Sequence, residues 1–251
     1  MSGDDVIAAL DVPAAARVDR RVPKALLVEH GAPTAADRRQ VNEGIEQIQW
    51  VAALKPTTVG VAAFRDEVRE YLEIAVLRVV LRDGARAERL TELVHRAIPY
   101  PVFAMTEQHE SVTLSVAHKR WSQAESEKTI IDGEPVSVAA PLERERYATA
   151  FAAALALGRQ PQASLQALYQ GWLDTLLALE AARVSGAFGI LFDAERRAAR
   201  REALDECARL DAEITRLRAA AKKEKQMARQ VALNQELKRA EAARAAALAR
   251  L

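Results

Sequence analysis

The residues best suited to chemistry are cationic. Arg216, Arg218, Lys222, Lys223, Lys225 and Arg229 crowd one stretch near the C-terminus, opposed between the first and the last of them only by Glu224. On a helix such a patch could neutralise phosphates, each contact releasing counterions and making binding steeply salt-dependent. The same residues also suit the solvated flank of a helix pair, and the lack of interleaved aromatic side chains favours that plainer role. A second group, His118-Lys119-Arg120-Trp121, closes a predicted strand. Lys119 and Arg120 beside an indole could meet single-stranded DNA or RNA, although a Trp at a strand end more often packs on a core.

Catalytic signatures fail one by one. A metal-dependent phosphodiesterase on a βαβ core wants an upstream acid and then Glu-x-Lys on a strand, carboxylates for the metal and lysine for the water. Here the strand reads Glu73-Ile74-Ala75, with alanine in the lysine position. A nuclease drawing acids from separate elements, such as Glu73 with Asp132, is the alternative left. His30, His95, His109 and His118 lack metal-ligand spacing, and His95 follows the apolar stripe of its helix as a partly exposed residue. Phosphate loops, dinucleotide fingerprints and nucleophile elbows do not occur. No catalytic residue, metal or cofactor is therefore expected, and Cys207 reads as a small hydrophobe.

Composition narrows the class. The chain has 251 residues, half of them hydrophobic, enough for a buried core plus an extension. With 36 Lys and Arg against 35 Asp and Glu, any preference for nucleic acid must be local. One cysteine fits a reducing compartment, the acidic start Met1 to Val12 is not a signal peptide, and no apolar run would span a membrane. A cytoplasmic location is expected, with no membrane partner.

The elements follow from hydrophobic period and breakers. Residues 1–32, broken by Pro13, Pro23 and Gly31, read as an irregular entry. Thr34 and Asp37 cap a helix whose Val41, Ile45, Ile48 and Ala52 predict continuation to Lys55, where Pro56 ends it. Trp50 and Ile48 would close a core under the sheet. Leu72 to Arg82 is a strand, Leu90, Leu93, Val94 and Ala97 mark a helix, and Tyr100 to Met105 is a second strand, together a βαβ unit. Val112, Leu114 and Val116 alternate with polar residues, predicting a hairpin neighbour of that second strand. Asp132-Gly133 predicts a tight hairpin from Ile130-Ile131 to Val136-Val138. Helices follow, one through Tyr147, Phe151 and Leu155, another through Leu165, Leu168, Trp172, Leu176 and Leu179 with Ser164 as N-cap. The fold class is α+β: a small mixed sheet with βαβ and hairpin elements, then helices and a long C-terminal coiled-coil-like helix. Its segments are 1–32, an α/β core at 33–140, helices at 141–190 and the charged tail at 191–251.

In that tail Cys207, Leu210, Ile214, Leu217 and Ala221 follow spacings of three and four, a packing seam. Glu224 breaks the phase and Met227, Val231 and Leu237 lie on a shifted stripe. Because Lys222 to Gln226 contains no turn residue, one continuous helix is expected. Leu210, Ile214, Leu217, Met227, Val231 and Leu237 are then the expected contacts for a partner protein or a second copy of the chain.

Four stretches in order carry a resemblance. They are Arg21-Val22-Pro23-Lys24; Ile45-Glu46-Gln47-Ile48-Gln49-Trp50 with Leu54-Lys55-Pro56-Thr57-Thr58; Ile98-Pro99-Tyr100; and Lys222-Lys223-Glu224-Lys225-Gln226 continuing from Val231 to Lys238. Together they resemble the bacterial domain of unknown function family 4391, with departures at Thr57 and Met227. The resemblance implies an accessory subunit encoded beside a DNA methyltransferase and a helicase in restriction-modification or antiviral defence loci. It assigns no activity. The expected function is docking of that helicase or methyltransferase through the C-terminal helix, with nucleic-acid binding by its basic face as the alternative.

Overall fold

The computed structural model describes residues 1–122, 129–191 and 193–251. It divides into two compact units, Met1–Leu176 and Leu177–Leu251. The first holds a six-stranded sheet ordered β1-β2-β5-β6-β7-β10, with ranges Arg17–Arg21, Ile45–Leu54, Ile74–Leu81, Val102–Gln108, Ser111–Val116 and Val136–Ala139. Two small antiparallel pairs accompany it, β3 (Phe64–Arg65) with β4 (Glu70–Tyr71) and β8 (Lys119–Trp121) with β9 (Thr129–Ile131).

The predicted βαβ unit is present: β5 and β6 run parallel, joined by α5 (Ala87–Ala97), and every other neighbouring pair in the sheet is antiparallel. β5 is covered on both faces, which is why its sequence is an almost unbroken aliphatic run. On one face Ala75, Leu77, Val79 and Leu81 join Leu27 of α2 (Lys24–His30), Val41 of α3 (Ala35–Gly44) and Leu90, Leu93 and Val94 of α5. Gly31 allows α2 to end against α5, since a Cβ there would lie 2.6 Å from the Ala97 Cβ and 2.7 Å from the Leu93 carbonyl. On the other face Phe103 packs at a tilt against Trp172 of α7 (Leu165–Ser185), ring centroids 5.0 Å apart. Buried Phe151 and Leu155 of α6 (Ala148–Leu155) and Val6 of α1 (Gly3–Ala9) complete the core. Ser164 caps α7 as expected, accepting from Ala167 N at 3.1 Å.

Three expectations about this unit need correcting. Residues 1–32 are not irregular: they form α1, β1, α2 and a short turn of helix at Ala14–Ala16. The helix capped by Thr34 stops at Gly44, and Ile45 onward is strand β2. Register shifts at Ile45/Gln47 and Trp50/Ala52 insert extra residues into β2, so same-face positions recur at Ile45 and Ile48, a spacing that mimics a helix. Ile48 still enters the core and Trp50 packs against it, while Pro56 opens the short helix α4 (Pro56–Val59) instead of closing a long one. Asp132-Gly133 joins different sheets, because β9 pairs with β8 and β10 with β7.

In the second unit, the tail is two helices, α8 (Ala194–Lys223) and α9 (Met227–Leu248). They are antiparallel, as three ion pairs show: Arg218–Glu241 at 2.7 Å, Arg244–Asp211 at 2.5 Å, and Arg250–Glu206. The expected continuous helix therefore folds back at Glu224 to Gln226. No glycine is needed, since Glu224 and Gln226 are extended at negative φ and the Glu224 carboxylate accepts from Gln226 N at 2.8 Å.

Candidate nucleic-acid interface

The fold-back decides what the tail can offer. Leu210, Ile214, Leu217 and Ala240 are buried together, with Leu233, Leu237 and Ala243 packed on them. The seam expected to receive a partner is thus closed within the chain, because an apolar stripe on each helix finds the other at no cost in association entropy. Of the six seam residues named for partner or self-association, Met227 and Val231 stay exposed, at 76% and 48%, beside the turn.

Folding back gathers the cations at one end. Arg218 is held by Glu241 across the hairpin. Arg216, Lys222, Lys223, Lys225 and Arg229 are exposed and form no ion pair among the described residues. Lys222, Lys223, Lys225 and Arg229 flank the turn from both helices, Arg216 lies two helical turns earlier on α8, and Glu224 is half-buried and bonded to the backbone. Charge repulsion among the five is tolerated because they are exposed to water, where it is screened.

In the second expected basic group the two cations are engaged within the fold. Lys119 is 3% exposed, and its ammonium donates to the His95 carbonyl at 2.6 Å and to the Ile98 carbonyl. It caps the C-terminal end of α5, where a cation meets unsatisfied carbonyls. Burial lowers its pKa to about 7. Arg120 lies 3.6 Å from Asp132, which also binds Arg69 at 2.5 Å, and the Trp121 backbone N–H bonds to the Val68 carbonyl.

The alternative nuclease acids are likewise engaged. Glu73 faces Lys55 at 3.0 Å, Asp132 is clamped by its two arginines, and among the described residues no three His, Cys, Asp or Glu side chains gather to hold a metal. His95, expected to be partly exposed, is fully buried, its Nε2 2.8 Å from Ser115 Oγ. Burial and then the Lys119 charge lower its pKa to about 3. A polar chain runs from Tyr71 OH to His118 Nδ1, from His118 Nε2 to Gln170 Oε1 at 2.8 Å, and from Gln170 Nε2 to Asp174 at 2.8 Å. Gln170 accepts there, so His118 carries its proton on Nε2 and receives one bond from tyrosine. Tyr71 is fully buried, which marks the chain as a tie between elements rather than a reactive centre.

A family model for the domain of unknown function 4391 matches residues 10–243. The chain belongs to that family. Neither a curated protein nor a solved structure matches it. The family match covers residues of both compact units. Among the described residues no helix is long and apolar enough to cross a membrane.

Proposed function

We propose that the protein is a non-catalytic accessory subunit of a bacterial DNA restriction or phage-defence system, and that it holds nucleic acid with the turn of its C-terminal hairpin. The observation that carries the binding role is the set of five exposed cations at and before that turn, Arg216, Lys222, Lys223, Lys225 and Arg229, none of them in an ion pair among the described residues. The defence setting rests on the family resemblance alone. A helicase or methyltransferase works along a duplex, and a subunit anchored to the same phosphates would raise its local concentration there.

The closed seam changes how a protein partner would dock. Leu210, Ile214, Leu217 and Leu237 are spent inside the hairpin, leaving Met227 and Val231 as its available apolar contacts. Affinity capture of the tagged full-length chain from its host tests both parts. Nuclease-sensitive nucleic acid should co-purify with the wild type and be lost with Lys222→Glu, Lys223→Glu and Lys225→Glu combined, and a helicase or methyltransferase should be recovered with it. Recovery of the chain alone would refute the reading.

A further inference from the structure

We propose that the basic end of the hairpin takes base-paired nucleic acid in preference to single strands, with Arg216 and Lys223 held on the two phosphate rows that border one groove. This deepens the nucleic-acid-binding role given above and rests on it. Arg216 and Lys223 both belong to α8 and are exposed, and neither has an ion pair among the described residues. Seven residues separate them, so they fall on one stripe of the helix, about 10 Å apart along its axis. Leu210, Ile214, Leu217 and Ala221 are buried on another side of α8, so that stripe is not spent on the hairpin's own seam. Arg218, between the two in sequence, is withdrawn by Glu241 at 2.7 Å.

The helix fixes that spacing before any ligand arrives. In a duplex two phosphate rows face each other across grooves about 6 and about 12 Å wide, separations that long side chains rooted about 10 Å apart can reach. A single strand carries one row, and seating both cations on it means ordering a flexible chain, which costs binding free energy. A duplex also places one negative charge per about 1.7 Å of axis, twice the density of either of its strands. Lys222, Lys225 and Arg229 flank the same turn, so five charges draw on a short span of phosphates and the denser polyanion supplies them. What a single strand offers in exchange is unpaired bases, which bind chiefly by stacking on aromatic side chains. The hairpin lacks such a platform: from Asp193 to Leu251 the chain contains no Phe, Tyr, Trp or His. Met227 and Val231, exposed beside the turn, have no aromatic face.

Fluorescence anisotropy of the full-length protein with a labelled DNA duplex of about 20 base pairs, and with one of its strands alone at equal salt, tests the preference. The duplex should bind about tenfold or more tighter, the difference expected from one charge-assisted contact. Arg216→Gln should weaken the duplex by a similar factor and the single strand by less than about threefold, since Lys223 still serves a single row. Arg216 is exposed, so circular dichroism should show the variant as folded as the wild type. Equal or tighter binding of the single strand, wild-type duplex affinity in Arg216→Gln, or an equal loss for both ligands in that variant overturns the proposal while leaving the nucleic-acid role in place. Failure of both ligands to bind the wild type removes that role and the proposal with it.

Discussion

Reversing three charges at the hairpin turn should change how steeply DNA binding depends on salt, not merely how tight it is. If each of the five unpaired cations meets one phosphate, the logarithmic salt slope for duplex DNA is about −4.5, and raising salt from about 50 to about 200 mM lowers affinity roughly 500-fold. Combining Lys222→Glu, Lys223→Glu and Lys225→Glu leaves Arg216 and Arg229, so the slope should fall to about −1.8 and the same salt change should cost only about 12-fold. All three lysines are exposed, and such surface changes alter stability by about 0.5 kcal/mol or less, so the folded fraction should not change. Arg218→Gln is the internal control, because Glu241 already holds that guanidinium. Fluorescence anisotropy of a labelled duplex at four salt concentrations, on the full-length chain, reads the slope directly. Equal slopes for wild type and triple variant, or a wild-type slope near zero, would refute the reasoning.

The hairpin core and its surface pairs should differ in weight. Ile214→Ala, at a site 5% exposed, should cost about 2–5 kcal/mol, whereas Arg244→Ala should cost under about 1 kcal/mol, both read from urea unfolding followed by circular dichroism. Gly31→Ala should destabilise the sheet unit by about 1–3 kcal/mol through overpacking against Ala97, and an unchanged urea midpoint would contradict that packing. His95 is neutral in the fold, with a pKa of about 3 against 6.5 unfolded, so the unfolded state binds the extra proton between those values. Stability should therefore be complete above about pH 6.5 and decline as pH falls toward 3, by a few kcal/mol at most, and His95→Gln should flatten that decline. For Lys119 the folded pKa of about 7 lies below 10.5, so the unfolded state is again the more protonated one, and stability should rise from pH 7 toward 10 in wild type but not in Lys119→Met.

Legibility in the sequence followed the range of the forces involved. The β5-α5-β6 unit was readable because a doubly covered strand must be aliphatic throughout and an amphipathic helix must repeat every three to four residues. β2 was misread because its two bulges shift the strand period, and bulges depend on the partner strand rather than on local residue type. The burial of Lys119 was hidden for a related reason: the carbonyls that hold it belong to His95 and Ile98, more than twenty residues earlier in the chain. Arg120 likewise meets Asp132 through the pairing of β8 with β9.

By itself the sequence determined that the C-terminal tail is helical, that it carries one apolar stripe interrupted near Glu224, and that six cations cluster there. Those properties are local, set by side-chain spacing and the absence of breakers. Only the tertiary structure decided that the stripe is closed by the chain's own α9, because the choice between a distant partner and a neighbouring segment turns on proximity and on a Glu224 side chain standing in for a turn residue. The same fold-back converted a basic stretch of helix into a basic end.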